Sequence, residues 1–310
     1  MPGSSPSLSV TGPAPRDRVD PKDGRWRCER INGNKTALVR EEGRLPSERP
    51  HIDVRVEERR HGVVARLTID NARRLNALNS ALMAEFVDVL GRLAADQNLR
   101  AVVLTGAGDK SFIVGADIGE MATITNAESA KVFITRLHRC CDAIRKFPVP
   151  VIARIAGYCF GAGLEIAAAC DLRIASETSS FGMQEVKLGI PSVIEAALLP
   201  RLVGWGRARE IMLLGEKFSA TDALAWGLLE RVAPATALDA AVDACIESLL
   251  TSRPHAVRLQ KRLMRQWEDL PLSAAIAAGI DAFAAAYESD EPAAAMRDFL
   301  AGRPGRKRDA

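Results

Sequence analysis

The sequence predicts an α/β protein that ends in a separate all-helical segment. From residue 51 to Val232, short apolar runs of the kind found in buried strands alternate with longer stretches of helical periodicity, and this alternation is typical of α/β folds. Past Ser252 only helical patterns remain, and they are rich in alanine without an evident core of their own. We therefore expect these helices to pack on a neighbour, either the α/β body or another subunit.

The size and charge of the chain narrow the classes of protein that it can belong to. It has 310 residues, enough for one large domain or two small ones, and its apolar fraction of 47% is enough for a substantial core. The net charge of +3, from 42 basic and 39 acidic residues, is too mild to demand a nucleic acid or membrane partner. No apolar run approaches the length of a membrane span, so neither partner is expected.

The N-terminal residues differ in composition from the rest. Residues 1–50 are rich in proline, glycine, serine, arginine and aspartate, with little periodicity. Such a segment cannot bury enough apolar surface to offset the entropy of ordering, so we predict a disordered extension. It also lacks the apolar core of a signal peptide. The predicted organisation is an extension at 1–50, a body with the active site at 51–252 and a helical region at 253–310.

Cysteine and histidine usage gives no sign of a metal or disulfide framework. The cysteines have no C-x-x-C spacing and lie mostly in apolar surroundings, which indicates free thiols in a reducing compartment and a cytoplasmic protein. Cys140 and Cys141 could form a metal or redox site, but no histidine or cysteine cluster supports one, and no metal is expected. The six cysteines are Cys28, Cys140, Cys141, Cys159, Cys170 and Cys245.

The elements of the first half follow from alternation, caps and breakers. Residues 51–58 and 62–69 are predicted strands, because alternate positions of the second are apolar. Asn79 or Ser80 can cap a helix at 81–95, whose apolar residues fall on one face. Further strands are predicted at 101–105, 112–114 and 149–153, and further helices from Ile118 and at 127–145, before Pro148.

In the second half, proline, serine and glycine delimit the helices. Pro191 and Ser192 mark a helix start, and Gly204 ends the helix that continues through 196–202. Ser219 caps a helix at 220–226, which ends at Gly227. The remaining predictions are a strand at 228–232 and helices at 208–214, 237–252, 254–267, 271–287 and 292–301.

A glycine-rich turn between a strand and a helix is the first candidate for chemistry. Gly161-Ala162-Gly163 follows an apolar run and opens a predicted helix at 164–170. Small residues let a ligand approach the backbone, and the first turn of a helix offers unpaired N–H groups. Glu165 lies in this turn, and a second carboxylate, Glu185, follows near another apolar stretch. The pair suits an acid/base site beside an oxyanion hole, although both could simply be helix N-terminal residues that the dipole stabilises.

A similar turn occurs earlier in the chain. The predicted strand at 112–114 leads through Gly115 and Ala116 to Asp117 and a helix start. The N–H of Ala116 could therefore be a second donor to the same oxygen, which would complete an oxyanion hole. The alternative is an ordinary strand-to-helix turn, with Asp117 as an N-terminal acidic residue.

Several sequence pieces, in order, resemble the crotonase (enoyl-CoA hydratase/isomerase) superfamily, and together they are more specific than one motif. The resemblance implies a spiral of β-β-α repeats, a C-terminal helical trimerisation region, trimers that often pair into hexamers, and an acyl-CoA thioester substrate. It spans roughly residues 52 to 305. The pieces lie at 74–79, 103–108, 112–121, 157–171, 181–185 and 288–300.

The resemblance also assigns roles within the site. The thioester oxygen would lie between the N–H groups of Ala116 and Ala162, and Glu165 and Glu185 match the two glutamates of hydratases, which add water across the C2=C3 bond of a trans-2-enoyl-CoA. Glu165 would deprotonate the water and Glu185 would protonate C2, with no cofactor besides the coenzyme A of the substrate. Other substrate contacts are implied at Arg73, Arg74, Ala77, Gly115, Asp117, Ile118, Gly161 and Ser192.

The sequence departs from the family pattern at two places. Many members have Pro-Gly-x-Gly-Gly after the second glutamate, whereas this chain has bulkier residues from Pro191 to Ala196, which could reshape the water site and the acyl pocket. Within this stretch Glu195 could be a third carboxylate near the site or a surface position on a helix. Gly119 stands where a lysine near the CoA phosphates is common.

Other functions remain open from the sequence. Relatives with this resemblance also include enoyl-CoA isomerases and enzymes that hydrate and cleave aryl or branched acyl-CoAs. Some relatives bind RNA, and the arginine-rich stretches near Arg25, Arg136 and Arg306 are the support for that alternative. However, the sequence contains no RNA-binding motif.

Overall fold

The computed structural model describes residues 27–31, 35–39 and 49–301. The N-terminal part is a hairpin of two antiparallel strands, β1 (Arg27–Ile31) and β2 (Lys35–Val39), with Arg27 opposite Val39. This pairing differs from the disordered extension expected at 1–50, and the rest of that segment up to residue 48 lies outside the described residues.

The second compact unit begins at Leu45 and contains two sheets and all the helices of the described chain. Its strands are β3 (His51–Arg59), β4 (Gly62–Asp70), β5 (Leu99–Gly106), β6 (Ser111–Ile113), β7 (Val151–Ile155), β8 (Tyr158–Phe160), β9 (Leu172–Ser176), β10 (Ser180–Gly182), β11 (Phe218–Ser219) and β12 (Arg231–Ala233). Its α-helices are α1 (Ser80–Leu93), α2 (Ile118–Met121), α3 (Ala127–Arg145), α4 (Ala162–Ala169), α5 (Leu199–Leu214), α6 (Ala220–Ala225), α7 (Leu238–Thr251), α8 (Pro254–Trp267), α9 (Leu272–Ala286) and α10 (Glu291–Ala301).

The strands form two sheets, and successive strands from β5 to β10 alternate between them. The six-stranded sheet has the order β12-β9-β7-β5-β4-β3, in which only β3 and β4 pair antiparallel. The four-stranded sheet has the order β11-β10-β8-β6, with β6, β8 and β10 parallel. The successive pairs β5 and β6, β7 and β8, and β9 and β10 each place one strand in each sheet. Each repeat therefore advances both sheets by one strand, which is a spiral of β-β-α turns.

The helix that carries Glu165 lies in the interior of this spiral. All eight residues of α4 are buried, which fits its sequence of small and apolar side chains. Elsewhere the large sheet packs on α7 through an apolar cluster, and each such fully buried side chain contributes roughly 1.5–3 kcal/mol. The cluster includes Val64, Val103, Ile152, Ile174, Leu238, Val242, Ile246 and Leu250. This packing holds α7 against the large sheet.

Several predicted elements and boundaries differ from the structure, among them the strand expected at 228–232, which is β12 at Arg231–Ala233. The strands β8, β9, β10 and β11 were not predicted as strands. The helix expected to end at Gly204 instead continues as α5, with Gly204 in a non-helical conformation at φ 76° that kinks it. A 3-10 helix (Ile194–Leu198) precedes α5.

The C-terminal helices leave apolar side chains in solvent. Trp267 of α8 donates from its Nε1 to the carbonyl of Ala275 on α9, at 2.8 Å, and Ala275 is the buried residue of α9. The exposed stripe, defined here as Leu272, Ile276, Ile280, Phe283 and Tyr287, repeats at helical spacing. None of the helices in the described part of the chain has the length and apolar character needed to cross a membrane.

Candidate active site

Most of the predicted site residues line one large cavity. Its volume is about 1190 Å³, somewhat above the roughly 300–1,000 Å³ of most small-molecule sites. The predicted residues that line it are Arg74, Ala77, Gly115, Ala116, Asp117, Ile118, Gly161, Ala162, Glu165 and Glu185. Arg73 and Ser192 are the predicted residues outside this lining.

The first wall of the cavity is the turn from β8 into α4. Gly161 has φ 51° and ψ −121°, a backbone conformation that residues other than glycine rarely adopt. A Cβ atom on Gly161 would lie 2.6 Å from Oε1 of Glu185, so the absent side chain leaves room for that carboxyl. Ala162 is the first helical residue, and its N–H therefore has no partner within the helix.

The second wall is the turn that contains Ala116. Leu78 forms a parallel bridge with Ala116, in which the N–H of Leu78 donates to Gly115 at 2.9 Å and its carbonyl accepts from Asp117 at 2.8 Å. Successive amides of an extended chain point to opposite edges, so the N–H of Ala116 points away from Leu78. A Cβ atom on Gly161 would be 4.0 Å from Cα of Gly115, which places the two turns side by side.

Glu165 is the more deeply buried of the two predicted acids. Its exposed fraction is 4%, and its Oε1 accepts a hydrogen bond from the N–H of Ala196 at 3.3 Å. Burial raises the pKa of Glu165 to about 8, the charge of Glu185 adds to this, and the hydrogen bond from Ala196 opposes it. The group therefore exchanges its proton near neutral pH.

Glu185 begins a 3-10 helix (Glu185–Leu188) directly after the loop that follows β10. Its carboxyl is half-buried, and its Oε2 accepts a hydrogen bond from Oγ of Ser192 at 3.0 Å. Ser192, predicted as a substrate contact, thus lies behind Glu185 and not along the cavity wall. Ser192 belongs to the stretch that replaces the family's Pro-Gly-x-Gly-Gly pattern. This replacement therefore supplies a hydrogen bond to Glu185.

Asp117 and Arg74 form an ion pair at the cavity. Asp117 accepts from the N–H of Glu120 at 3.0 Å, which caps α2, and from Nη1 of Arg74 at 2.9 Å. Burial alone would raise the pKa of Asp117, but these hydrogen bonds outweigh it and the pKa is lowered. A Cβ atom on Gly119 would come within 3.0 Å of Oδ1 of Asp117, so a lysine there would crowd this pair. Arg73 is exposed on the same 3-10 helix as Arg74.

Sequence reasoning left part of the site undecided and did not foresee another part. Glu195 is 3% exposed, so its alternative assignment to a surface helix position is wrong. Its carboxylate contacts His138 and Arg145 of α3. The apolar wall formed by Phe133, Ile134 and Leu137 also comes from α3; the amphipathic pattern of that helix showed its buried face but not what the face covers.

The remaining expectations concern cysteines, metals and arginines. Burial raises the pKa of the Cys140 thiol to about 12 and that of Cys141 well above its usual value, so these thiols are poor nucleophiles. Among residues 27–31, 35–39 and 49–301, no three His, Cys, Asp or Glu side chains come together as a metal site would need. Arg136 donates to Oγ of Ser80 at 2.8 Å, while Arg25 and Arg306 lie outside the described residues.

Two backbone turns beside two carboxyls at an apolar cavity define an acid/base enzyme that acts next to a carbonyl group. Comparison with known sequences gives the family. The chain belongs to the enoyl-CoA hydratase/isomerase family, whose sequence profile matches residues 59–306.

Similar proteins carry hydratase names. The chain is 35% identical over 247 residues to the short-chain-enoyl-CoA hydratase of Clostridium acetobutylicum, covering 79% of this chain and 94% of that protein. It is 32% identical to the crotonyl-CoA hydratase of Syntrophomonas wolfei, covering 77% and 92%. The crystal structure of an enoyl-CoA hydratase from Bacillus anthracis superposes with a TM-score of 0.76 at 31% identity, covering 81% of this chain and 96% of that one. The predicted crotonase-type spiral with C-terminal helices is thereby confirmed.

Proposed function

We propose that this protein is an enoyl-CoA hydratase that adds water across the C2=C3 bond of a trans-2-enoyl-CoA. The observation that carries the proposal is that Glu165 and Glu185 line one cavity with the turns of Ala116 and Ala162. A family member that only moved a double bond would need one of these acids, whereas hydration employs both. The names of the relatives from Clostridium and Syntrophomonas point to the same reaction.

The reaction follows from where charge develops. The N–H groups of Ala116 and Ala162 donate hydrogen bonds to the thioester oxygen, which makes C3 electrophilic and stabilises the enolate that forms after attack; one such donor is worth roughly 3–4 kcal/mol of barrier. The water oxygen bonds to C3 while its proton passes to Glu165, and Glu185 gives its proton to C2. Return of the proton from Glu165 to Glu185 restores the pair, and the net change is the addition of one water.

The rest of the cavity accommodates the remainder of the substrate. Phe133, Ile134 and Leu137 offer the acyl chain an apolar wall. Arg74 lines the opening with its side chain 64% exposed, where it can meet a phosphate of coenzyme A. The reaction balances with substrate and water alone, so we propose no further cofactor. The free buried thiols, Cys140 and Cys141 among them, favour a reducing, cytoplasmic location.

The test is an assay of the purified protein with crotonyl-CoA and a panel of longer, branched and aryl enoyl-CoAs, read by mass spectrometry. We expect a product heavier by one water without any added cofactor. An isomer of unchanged mass would indicate double-bond migration, and release of an aldehyde would indicate hydration followed by cleavage. Either result in place of simple hydration would overturn the proposal.

The space at Gly161 gives a sharper prediction. In Gly161→Ala the new Cβ atom would lie 2.6 Å from Oε1 of Glu185, so the carboxyl must move and hydration should fall by roughly 100-fold. Gly108→Ala is the matched control, because Gly108 also has positive φ, 72°, but nothing within 4 Å of the new atom. Equal loss of turnover in both variants would show that backbone strain, and not the displacement of Glu185, is responsible.

We further propose that the exposed stripe of α9 is covered in a homotrimer or a hexamer. Leu272, Ile280 and Phe283 are 78%, 68% and 68% exposed, and a continuous apolar face of this kind marks an interface. Phe283→Glu should therefore dissociate an assembly of three or six 33.5 kDa chains, which light scattering after gel filtration measures. Leu213→Glu, at an exposed leucine on α5, is the control. A wild-type protein that elutes as a monomer would refute this proposal.

A further inference from the structure

A buried carboxylate that the proposed reaction does not use lies directly behind the catalytic pair. Glu195, in the 3-10 helix (Ile194–Leu198), is 3% exposed. Its Oε1 and Oε2 lie 3.0 and 3.2 Å from Nδ1 of His138, and its Oε1 lies 3.7 Å from Nη1 of Arg145. Taking a charge out of water costs several kcal/mol unless partners compensate, so His138 and Arg145 fix where this carboxylate lies.

The short segment around Glu195 holds both catalytic carboxyls. Three residues before it, Oγ of Ser192 donates to Glu185 at 3.0 Å. One residue after it, the N–H of Ala196 donates to Glu165 at 3.3 Å. The segment 192–196 therefore sets the relative position of the two acids. The carboxylate of Glu195 connects this segment to α3 through its contacts with His138 and Arg145.

The backbone of this segment needs such an attachment. Ile194 has φ 43°, a conformation that is an outlier for a β-branched residue. Strained conformations of this kind are unfavourable and persist where surrounding contacts hold them. The contacts of Glu195 with α3 adjoin the strained residue and can supply that restraint.

We propose that Glu195 is a positioning residue: its contacts with His138 and Arg145 anchor segment 192–196 so that Ser192 and Ala196 hold Glu185 and Glu165 in place for catalysis. This inference rests on the proposed hydratase function. It assigns a role to the bulkier residues that replace the family's Pro-Gly-x-Gly-Gly pattern. In this chain the segment becomes a hydrogen-bonding support for the acids.

Electrostatics gives the proposal a second consequence. Three groups face Glu165: Glu185 from its 3-10 helix, Glu195 from the next one, and the Cys141 thiol from α3. Behind Glu195 stand His138 and Arg145, and Arg145 also pairs with Glu268. The negative charge of Glu195 contributes to the raised pKa of Glu165, after burial and Glu185. Removing that charge should therefore lower the pKa of Glu165.

The experiment compares Glu195→Gln with the wild type in crotonyl-CoA hydration over a range of pH. We expect kcat to fall by roughly 10- to 100-fold because the acids are displaced, with KM changed less than about threefold because the substrate contacts remain. The ionisation of Glu165, with a pKa of about 8 in the wild type, controls one limb of the pH profile of kcat/KM. This limb should move to lower pH in the variant. Glu195→Asp should recover part of kcat if it still reaches His138.

Controls separate positioning from stability. Glu230→Gln removes a carboxylate from the buried Arg173 outside the cavity lining, and it should lower the melting temperature while leaving kcat and the pH limb unchanged. If Glu195→Gln does not fold, His138→Gln keeps the carboxylate and should lower kcat in the same direction by less. Wild-type kcat and an unmoved limb in the folded variants would overturn the inference. A wild-type protein that hydrates no enoyl-CoA would instead refute the proposed function itself.

Discussion

Replacing either catalytic acid should nearly abolish hydration while the protein remains folded. For Glu165→Gln and Glu185→Gln we expect kcat for crotonyl-CoA to fall by roughly 10²–10⁴-fold each, the usual contribution of positioned proton transfer. Glutamine keeps the size of the side chain but neither takes a proton from water nor gives one to C2. Loss of the absorbance of the conjugated thioester measures the rate, and circular dichroism checks the fold.

The double variant shows whether the two acids act as a unit. Because both are needed for one addition of water, Glu165→Gln combined with Glu185→Gln should be little slower than either single variant. Glu210→Gln provides the control, since Glu210 is an exposed carboxylate that pairs with Arg207 on α5, and its turnover should match the wild type. Near-normal turnover in either single variant would remove that acid from the mechanism.

The parts of the site that the sequence revealed are those with local causes. Gly161-Ala162-Gly163 between an apolar run and a helix is a signal contained in a few residues, because only small residues allow that turn. The turn of Gly115 and Ala116 is of the same kind. Both could therefore be located before any tertiary contact was known, and the structure places them side by side.

The parts that sequence reasoning missed depend on contacts between distant segments. Glu195 lies 57 residues from His138 along the chain, and nothing in its own neighbourhood distinguishes a buried acid from an exposed helical one. Ser192 was placed in the site, but its bond to Glu185 depends on how segment 192–196 folds back. The strands β8 and β10, three residues each, are too short for periodicity, and neighbouring strands define them.

The burial that tunes Glu165 for catalysis should cost the folded protein stability. Its pKa rises from 4.5 to about 8 on folding, so between these two pH values the folded state binds one proton more than the unfolded state. Stability must then decrease as pH rises through this window, by about 1.4 kcal/mol for each pH unit. The total is on the order of 5 kcal/mol above about pH 8.

Glu165→Gln removes this dependence, because glutamine stays neutral in both states. We expect the variant to match the wild type in unfolding free energy near pH 4, to become progressively more stable than it up to about pH 8, and to keep a constant advantage beyond. Urea unfolding across this pH range measures the difference. Glu210→Gln, at an exposed carboxylate, is the control for the loss of one carboxyl group. If the Glu165→Gln variant showed no such gain, burial would not be holding a proton on this acid in the free protein.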